Sequence, residues 1–206
     1  MTCLPVDDEV WVRIRAREAT PTLARETLAR ADAEIALQLG ADCYGRDADT
    51  LEGVVGALLR DRGLTLAIAE SCTGGLLGHR ITNVPGSSAY FEQGVLVYSN
   101  RAKQALLGVP ESVLRAHGAV SAQCAEAMAR GICAAAGTPC GLAITGIAGP
   151  DGGLPGKPVG TVFVGLSVAG ETRARRFRFA GDRESVKWQS TQVALDLLRR
   201  AVLERA

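Results

Sequence analysis

Residues 64–77 read Leu-Thr-Leu-Ala-Ile-Ala-Glu-Ser-Cys-Thr-Gly-Gly-Leu-Leu, and the hydrophobic period changes halfway along them. Thr65 to Ala69 is a short, mainly apolar run bounded by Gly63 and a polar cluster, the pattern of a buried strand. Leu76, Leu77 and Ile81 instead fall at the spacing of one helix face. A strand that breaks at Ser71, Thr73, Gly74 and Gly75 and restarts as a helix leaves backbone N–H groups unpaired at the positive end of that helix. An anion or a developing oxyanion can sit there. The two glycines let a ligand approach the backbone with no Cβ in the way.

Outward from this segment, strand and helix patterns alternate. Downstream, Phe91 to Tyr98 is rich in β-branched and aromatic residues and reads as a strand, with Ser99 or Asn100 capping a short helix that carries Lys103 and Leu106. A second short helix follows over Pro110 to His117, and Ser121 caps a longer one through Met128 and Ile132. Gly141 to Thr145 is a buried-looking strand that ends in a second glycine-rich turn, Gly146 to Gly153. Gly160–Ala169 and Glu171–Phe179 make a hairpin about Gly170, its second strand arginine-rich and so expected at an edge. Asp182 caps the closing helix. Upstream, Thr50 caps a helix ending at Gly63. Before it lie an alternating strand, Glu9 to Ala16, and a helix opened by Thr20-Pro21 whose apolar positions Leu28, Ala31, Ile35 and Leu39 are expected to pack on that strand.

This order predicts an α/β fold with helices on both faces of a mixed, mostly parallel sheet, plus a small α+β appendage at the amino end. Ligands in such sheets sit beyond the carboxyl ends of strands, where Ser71–Gly75, Tyr98–Lys103 and Thr145–Gly153 are all expected to meet.

Composition narrows the function. A chain of 206 residues with net charge +1 suits one core plus an appendage and lacks the basic excess of a nucleic-acid binder. Six cysteines without a C-x-x-C pair or a histidine cluster support neither a metal site nor a disulfide framework. No apolar run reaches the roughly 18 residues of a membrane span, and the acidic first residues do not suit a secretory signal, so a cytoplasmic protein is expected.

Ser71 stands where a nucleophile would, although on position alone a helix cap is the better reading. His79 lies about two helical turns beyond it, His117 has no acidic partner in view, and G-x-S-x-G is absent, so a serine–histidine hydrolase does not fit. Lys103 offers another base, since a desolvated lysine can work neutral, with Tyr98 as a proton relay. Cys72 is a weaker rival nucleophile. The second turn either cradles a phosphate or merely connects, and Glu70 either orients a ligand or pairs with an arginine.

Taken together, A-E-S-C-T-G-G (69–75), V-P-G-S-S-A-Y-F (84–91), Y-S-N-x-x-K (98–103), L-L-G-V (106–109), H-G-A-V-S (117–121), T-G-I-A-G-P-D-G-G (145–153), K-P-V-G-T-V (157–162) and F-A-G-D-R (179–183) resemble the carboxy-terminal domain of the competence-damage inducible CinA family, the nicotinamide mononucleotide deamidase. The resemblance implies hydrolysis of the carboxamide of nicotinamide mononucleotide to nicotinic acid mononucleotide and ammonia, on a three-layer α/β/α fold, as a homodimer, without metal or cofactor. It implies catalysis by Ser71, Tyr98 and Lys103, and substrate contacts from Glu70, Thr73, Gly74, Gly75, Asn100, Thr145, Gly146, Ala148 and Gly149. Residues 50–206 would be the deamidase domain and residues 1–49 part of a KH-type linker. The linker has no G-x-x-G loop, so no nucleic acid is expected as partner. The pyrophosphatase credited to the large amino-terminal domain of longer family members is not expected here. The competing expectation is a non-catalytic nucleotide-binding module that acts through a protein partner.

Overall fold

In the computed structural model, which describes residues 1–6 and 9–205, the chain separates into two compact units, Met1–Asp47 and Ala48–Ala206. The first unit opens with an antiparallel hairpin of β1 (Thr2–Val6) and β2 (Glu9–Arg13), in register from Thr2↔Arg13 to Val6↔Glu9. Helix α1 (Pro21–Leu39) follows, with the Thr20 hydroxyl accepting the Leu23 N–H at 3.3 Å and proline in its first turn. Two expectations need correction. The strand expected to run to Ala16 ends at Arg13 and has a partner strand, β1, that the sequence reading missed. The α1 face expected to pack on it is at most half-buried.

The second unit is built as expected. Its elements are α2 (Leu51–Asp61), β3 (Leu66–Glu70), α3 (Leu76–Thr82), β4 (Phe91–Leu96), α4 (Asn100–Leu107), α5 (Glu111–His117), α6 (Ala122–Ala136), β5 (Cys140–Gly146), β6 (Thr161–Val168), β7 (Glu171–Arg178) and α7 (Arg183–Leu203). Side-chain oxygens of Thr50, Ser99, Ser121 and Asp182 accept an N–H three residues on and start α2, α4, α6 and α7. The sheet runs β4-β3-β5-β6-β7. β3 is parallel to both β4 and β5, β6 is antiparallel to β5, and β7 is antiparallel to β6, so β6 alone runs against the other strands. The arginine-rich β7 is an edge strand.

Apolar side chains cover both faces. Ala67, Ala69 and Ala143 pack with Val97, Leu107, Val109, Met128 and Ile132 on the side of α4 and α6. Helices α2, α3 and α7 lie on the other side, joined by a buried cation. Arg80 on α3 donates to Glu52 of α2 at 2.8 Å and to Thr191 and Gln192 of α7 at 2.9 and 2.7 Å, and lies 4.3 Å over the Trp188 ring. Helix α6 approaches the sheet backbone closely: a Cβ at Gly165 of β6 would fall 2.1 Å from the Ala125 carbonyl oxygen, and one at Gly141 of β5 2.5 Å from that of Ala129. Toward α4, a Cβ at Gly131 would fall 2.1 Å from the Leu107 carbonyl. Side chains on the two strands would push α6 outward, so bare backbone sets this layer's spacing.

Candidate active site

The parallel register brings the carboxyl ends of β3, β4 and β5 level, with Glu70 opposite both Leu96 and Ile144. The ladders run one residue further on each side. The Ser71 N–H donates to Ile144 O at 3.0 Å and the Val97 N–H to Glu70 O at 2.8 Å. Ser71 is thereby held at the end of a fully buried strand, and Val97 beside it.

Lys103 comes from α4. The Ser99 hydroxyl accepts the Ala102 N–H at 3.1 Å, which starts the helix so that Lys103 and Leu107 share its buried face. Lys103 is 1% exposed, and its Nζ lies 3.1 Å from Ser71 Oγ, 2.7 Å from Val97 O and 3.4 Å from Tyr98 O. It forms no ion pair with a carboxylate among the described residues. Burial pushes the amine below its ordinary value of 10.5, because the charged form loses its water. A neutral amine has two hydrogens and one lone pair. As an ammonium Lys103 donates to the Ser71 hydroxyl and to the two carbonyls; once a proton is lost, the carbonyls keep the two hydrogens and the lone pair turns to the Ser71 hydroxyl. This is the geometry of a general base beside a nucleophile.

Cys72 is excluded from that role. It is 6% exposed, and burial pushes its thiol up to about 12, so almost no thiolate forms near neutral pH.

The Ser71–Gly75 turn differs from expectation in one respect. Glu70, 3% exposed, turns its carboxylate onto the start of α3 and accepts the N–H groups of Gly75 and Leu77 at 3.1 Å each and of Gly78 at 2.9 Å. Its carboxylate is thus engaged by backbone and pairs with no arginine among the described residues, and Gly75 is not a free oxyanion donor. The Gly74 N–H donates to Ser71 O at 3.2 Å. The N–H groups of Cys72 and Thr73 donate to no other residue among those described and are the donors left beside Ser71. The Thr73 side chain is fully buried and its hydroxyl has no partner.

Tyr98 also departs from expectation. Its side chain is 62% exposed and its hydroxyl lies 3.2 Å from Arg183 Nη2; only its carbonyl oxygen meets Lys103. A relay between Ser71 and Lys103 is replaced by their direct contact. Asn100 is exposed at the first position of α4. In the second turn the Thr145 hydroxyl donates to Ala119 O at 2.8 Å, which fastens the 117–121 loop to β5 instead of presenting a free donor. Gly146 packs against Thr161 and Val162, Ala148 is buried, and Gly149 O accepts from Arg183 Nη1 at 2.7 Å.

Arg183 thus joins the β4 end to the second turn, a role the sequence reading missed. The signal was available: Arg183 is the first residue of α7, where the helix dipole disfavours a cation. One turn on, Lys187 brings another positive charge. A Cβ at Gly74 would lie 3.7 Å from its Nζ.

A cleft of about 510 Å³ lined by Leu166, Val168, Thr172 and Ala201 lies at the opposite end of the sheet, where Cys140 pairs with Val168. The ion pairs Arg173–Glu204 and Arg205–Glu171 border it, and it holds no nucleophile or base comparable to Ser71 and Lys103. No group of three or more metal-ligating side chains occurs among the described residues, and no described helix is long and apolar enough to cross a membrane.

The family model of the CinA C-terminal domain matches residues 48–202. A putative competence-damage inducible protein of Moorella thermoacetica is 54% identical over 194 residues, covering 94% of this chain and 47% of the relative. A CinA-like protein of Syntrophotalea carbinolica is 50% identical over 191 residues, covering 93% of this chain and 46% of the relative. The chain therefore spans about half the length of these curated relatives. Among solved structures, a CinA superfamily protein of Klebsiella pneumoniae superposes with a TM-score of 0.73 at 37% identity, covering 75% of this chain and 96% of that one.

Proposed function

The chain belongs to the family of CinA C-terminal domains, and from that premise we propose that it is an amidohydrolase acting on the carboxamide of nicotinamide mononucleotide, working in the cytoplasm as a homodimer. The observation that carries this reading is the buried contact of Lys103 Nζ with Ser71 Oγ at 3.1 Å, with Val97 O and Tyr98 O at 2.7 and 3.4 Å from the same amine.

Ser71 Oγ attacks the amide carbon while Lys103 takes the hydroxyl proton. The oxygen that gains charge is held by the N–H groups of Cys72 and Thr73. As the tetrahedral species collapses, Lys103 returns the proton to the departing nitrogen, and ammonia leaves. Water, activated by the same amine, then cleaves the ester on Ser71 and releases nicotinic acid mononucleotide. Arg183 and Lys187 supply positive charge at the rim for the nucleotide's phosphate, a part first expected of Thr145 to Gly149. The exposed Tyr98, its hydroxyl at Arg183, offers a flat aromatic face at the same rim.

The test is ammonia release from nicotinamide mononucleotide by the purified chain. Steady release with formation of the carboxylate nucleotide is expected. Nucleotide binding without ammonia would overturn the enzymatic reading and leave a nucleotide-binding module that acts through a protein partner.

A further inference from the structure

Glu70 forms no ion pair among the described residues, and its carboxylate accepts three amide hydrogens. A helix start carries the equivalent of about half a positive charge, and a carboxylate brings a full negative one, so the sum at the head of α3 is negative. The turn that a strand–glycine–helix pattern marks as an anion site is occupied by the chain's own anion.

Resting on the proposed amide hydrolysis, we infer that Glu70 is a specificity-determining positioning residue that sets the site against ligands carrying a permanent negative charge next to Ser71, so that a neutral carboxamide is held and its carboxylate product is expelled. Two observations join in this. The carboxylate takes the donors of Gly75, Leu77 and Gly78, leaving the Cys72 and Thr73 N–H groups beside the nucleophile. Two donors suffice for an oxyanion that exists only during the reaction. A product carboxylate would need the whole helix start to hold it. Glu70 also adjoins Ser71 in the chain, and its carboxylate is held inside the same turn by the Gly75 N–H at 3.1 Å, so its charge stands close to the acyl position. Arg183 and Lys187 lie on α7, are untouched by a change at position 70, and act on the phosphate shared by substrate and product.

The experiment is calorimetric titration of the full chain carrying Ser71→Ala, which blocks turnover, with nicotinamide mononucleotide and with nicotinic acid mononucleotide. Adding Glu70→Gln is expected to shift the ratio of the two dissociation constants roughly tenfold or more toward the carboxylate. Glu70→Asp, which keeps the charge, is expected to leave the ratio near its starting value. A purely architectural Glu70 would weaken both ligands together, and an unchanged ratio in folded Glu70→Gln protein overturns the inference. If that variant does not fold, the Ser71→Ala protein alone decides: carboxylate binding tighter than amide binding overturns the inference, and weaker binding supports it. If neither nucleotide binds the Ser71→Ala chain, the proposed substrate falls, and this inference with it.

Discussion

The two glycine-rich turns, residues 71–75 and 145–153, follow neighbouring parallel strands and reach the same rim of the sheet. Their polar groups are engaged differently close to the strand ends. In the second turn the Thr145 hydroxyl, the Ile147 N–H and the Gly149 carbonyl are all committed to other protein groups, at 2.8, 2.9 and 2.7 Å. In the first, Glu70 ties down the helix start while Ser71, Cys72 and Thr73 keep groups in reserve, and a buried amine stands 3.1 Å from the hydroxyl. Glycine and a strand end make such a turn possible; chemistry depends on which donors remain unspent.

The sharpest way to break this contrast is to remove the reacting groups. Ser71→Ala and Lys103→Met are each expected to lower ammonia release at least about a thousandfold, with no loss of melting temperature. Near-normal release from either would abolish the distinction between the turns. Next in size is a substitution in the second turn. Gly149→Ala places a Cβ at a φ of 84° and 2.5 Å from Val159 Cγ1, and is expected to cost about 2–4 kcal/mol in urea unfolding. Gly74→Ala meets nothing nearer than Lys187 Nζ at 3.7 Å, so only the backbone conformation at a φ of 64° opposes it, at about 1–2 kcal/mol. Equal costs would show that the two turns carry the same structural load.

Thr145→Val removes the bond to Ala119 O and should lower stability by about 1–2 kcal/mol, with turnover per folded molecule unchanged. A turnover defect without a stability defect would return Thr145 to the substrate site. The smallest effect is electrostatic. Because burial lowers the Lys103 pKa in the folded state, the unfolded chain binds the extra proton between that lowered value and 10.5. Unfolding free energy from this group therefore rises with pH across that window and is lost as pH falls through the folded value. Lys103→Met should thus be more stable than the parent at neutral pH, with the gap closing toward pH 10.5. Urea midpoints at several pH values check this, and a gap that widens with pH would contradict it.

The contrast between the turns also marks the limit of what the sequence discloses. Local order was readable: caps at Thr20, Thr50, Ser121 and Asp182 gave helix starts, and alternation gave the strands, because capping and facial burial act within a few residues. The Ser71–Lys103 pair followed from two turns sharing one rim. The commitments of individual polar groups did not. Arg183 finds Tyr98 across 85 positions and Thr145 finds Ala119 across 26, distances over which no periodicity speaks. Glu70 looked free because its partners are backbone hydrogens that no residue type announces. Strand β1 was missed because it is only five residues long and contains Pro5, a residue that argues against a strand.

The packing of α6 has a mechanical meaning for catalysis. The amine rides on α4, α4 rests on α6 at Gly131, and α6 rests on the strands at Gly141 and Gly165. A methyl group added at any of these three places acts as a shim, shifting α6 from the strands or α4 from α6, and is expected to disturb the seat of the lysine beside the serine. Positions far from the reacting atoms therefore hold the tolerance of the proton transfer, and their neighbours can vary only so long as those three remain bare.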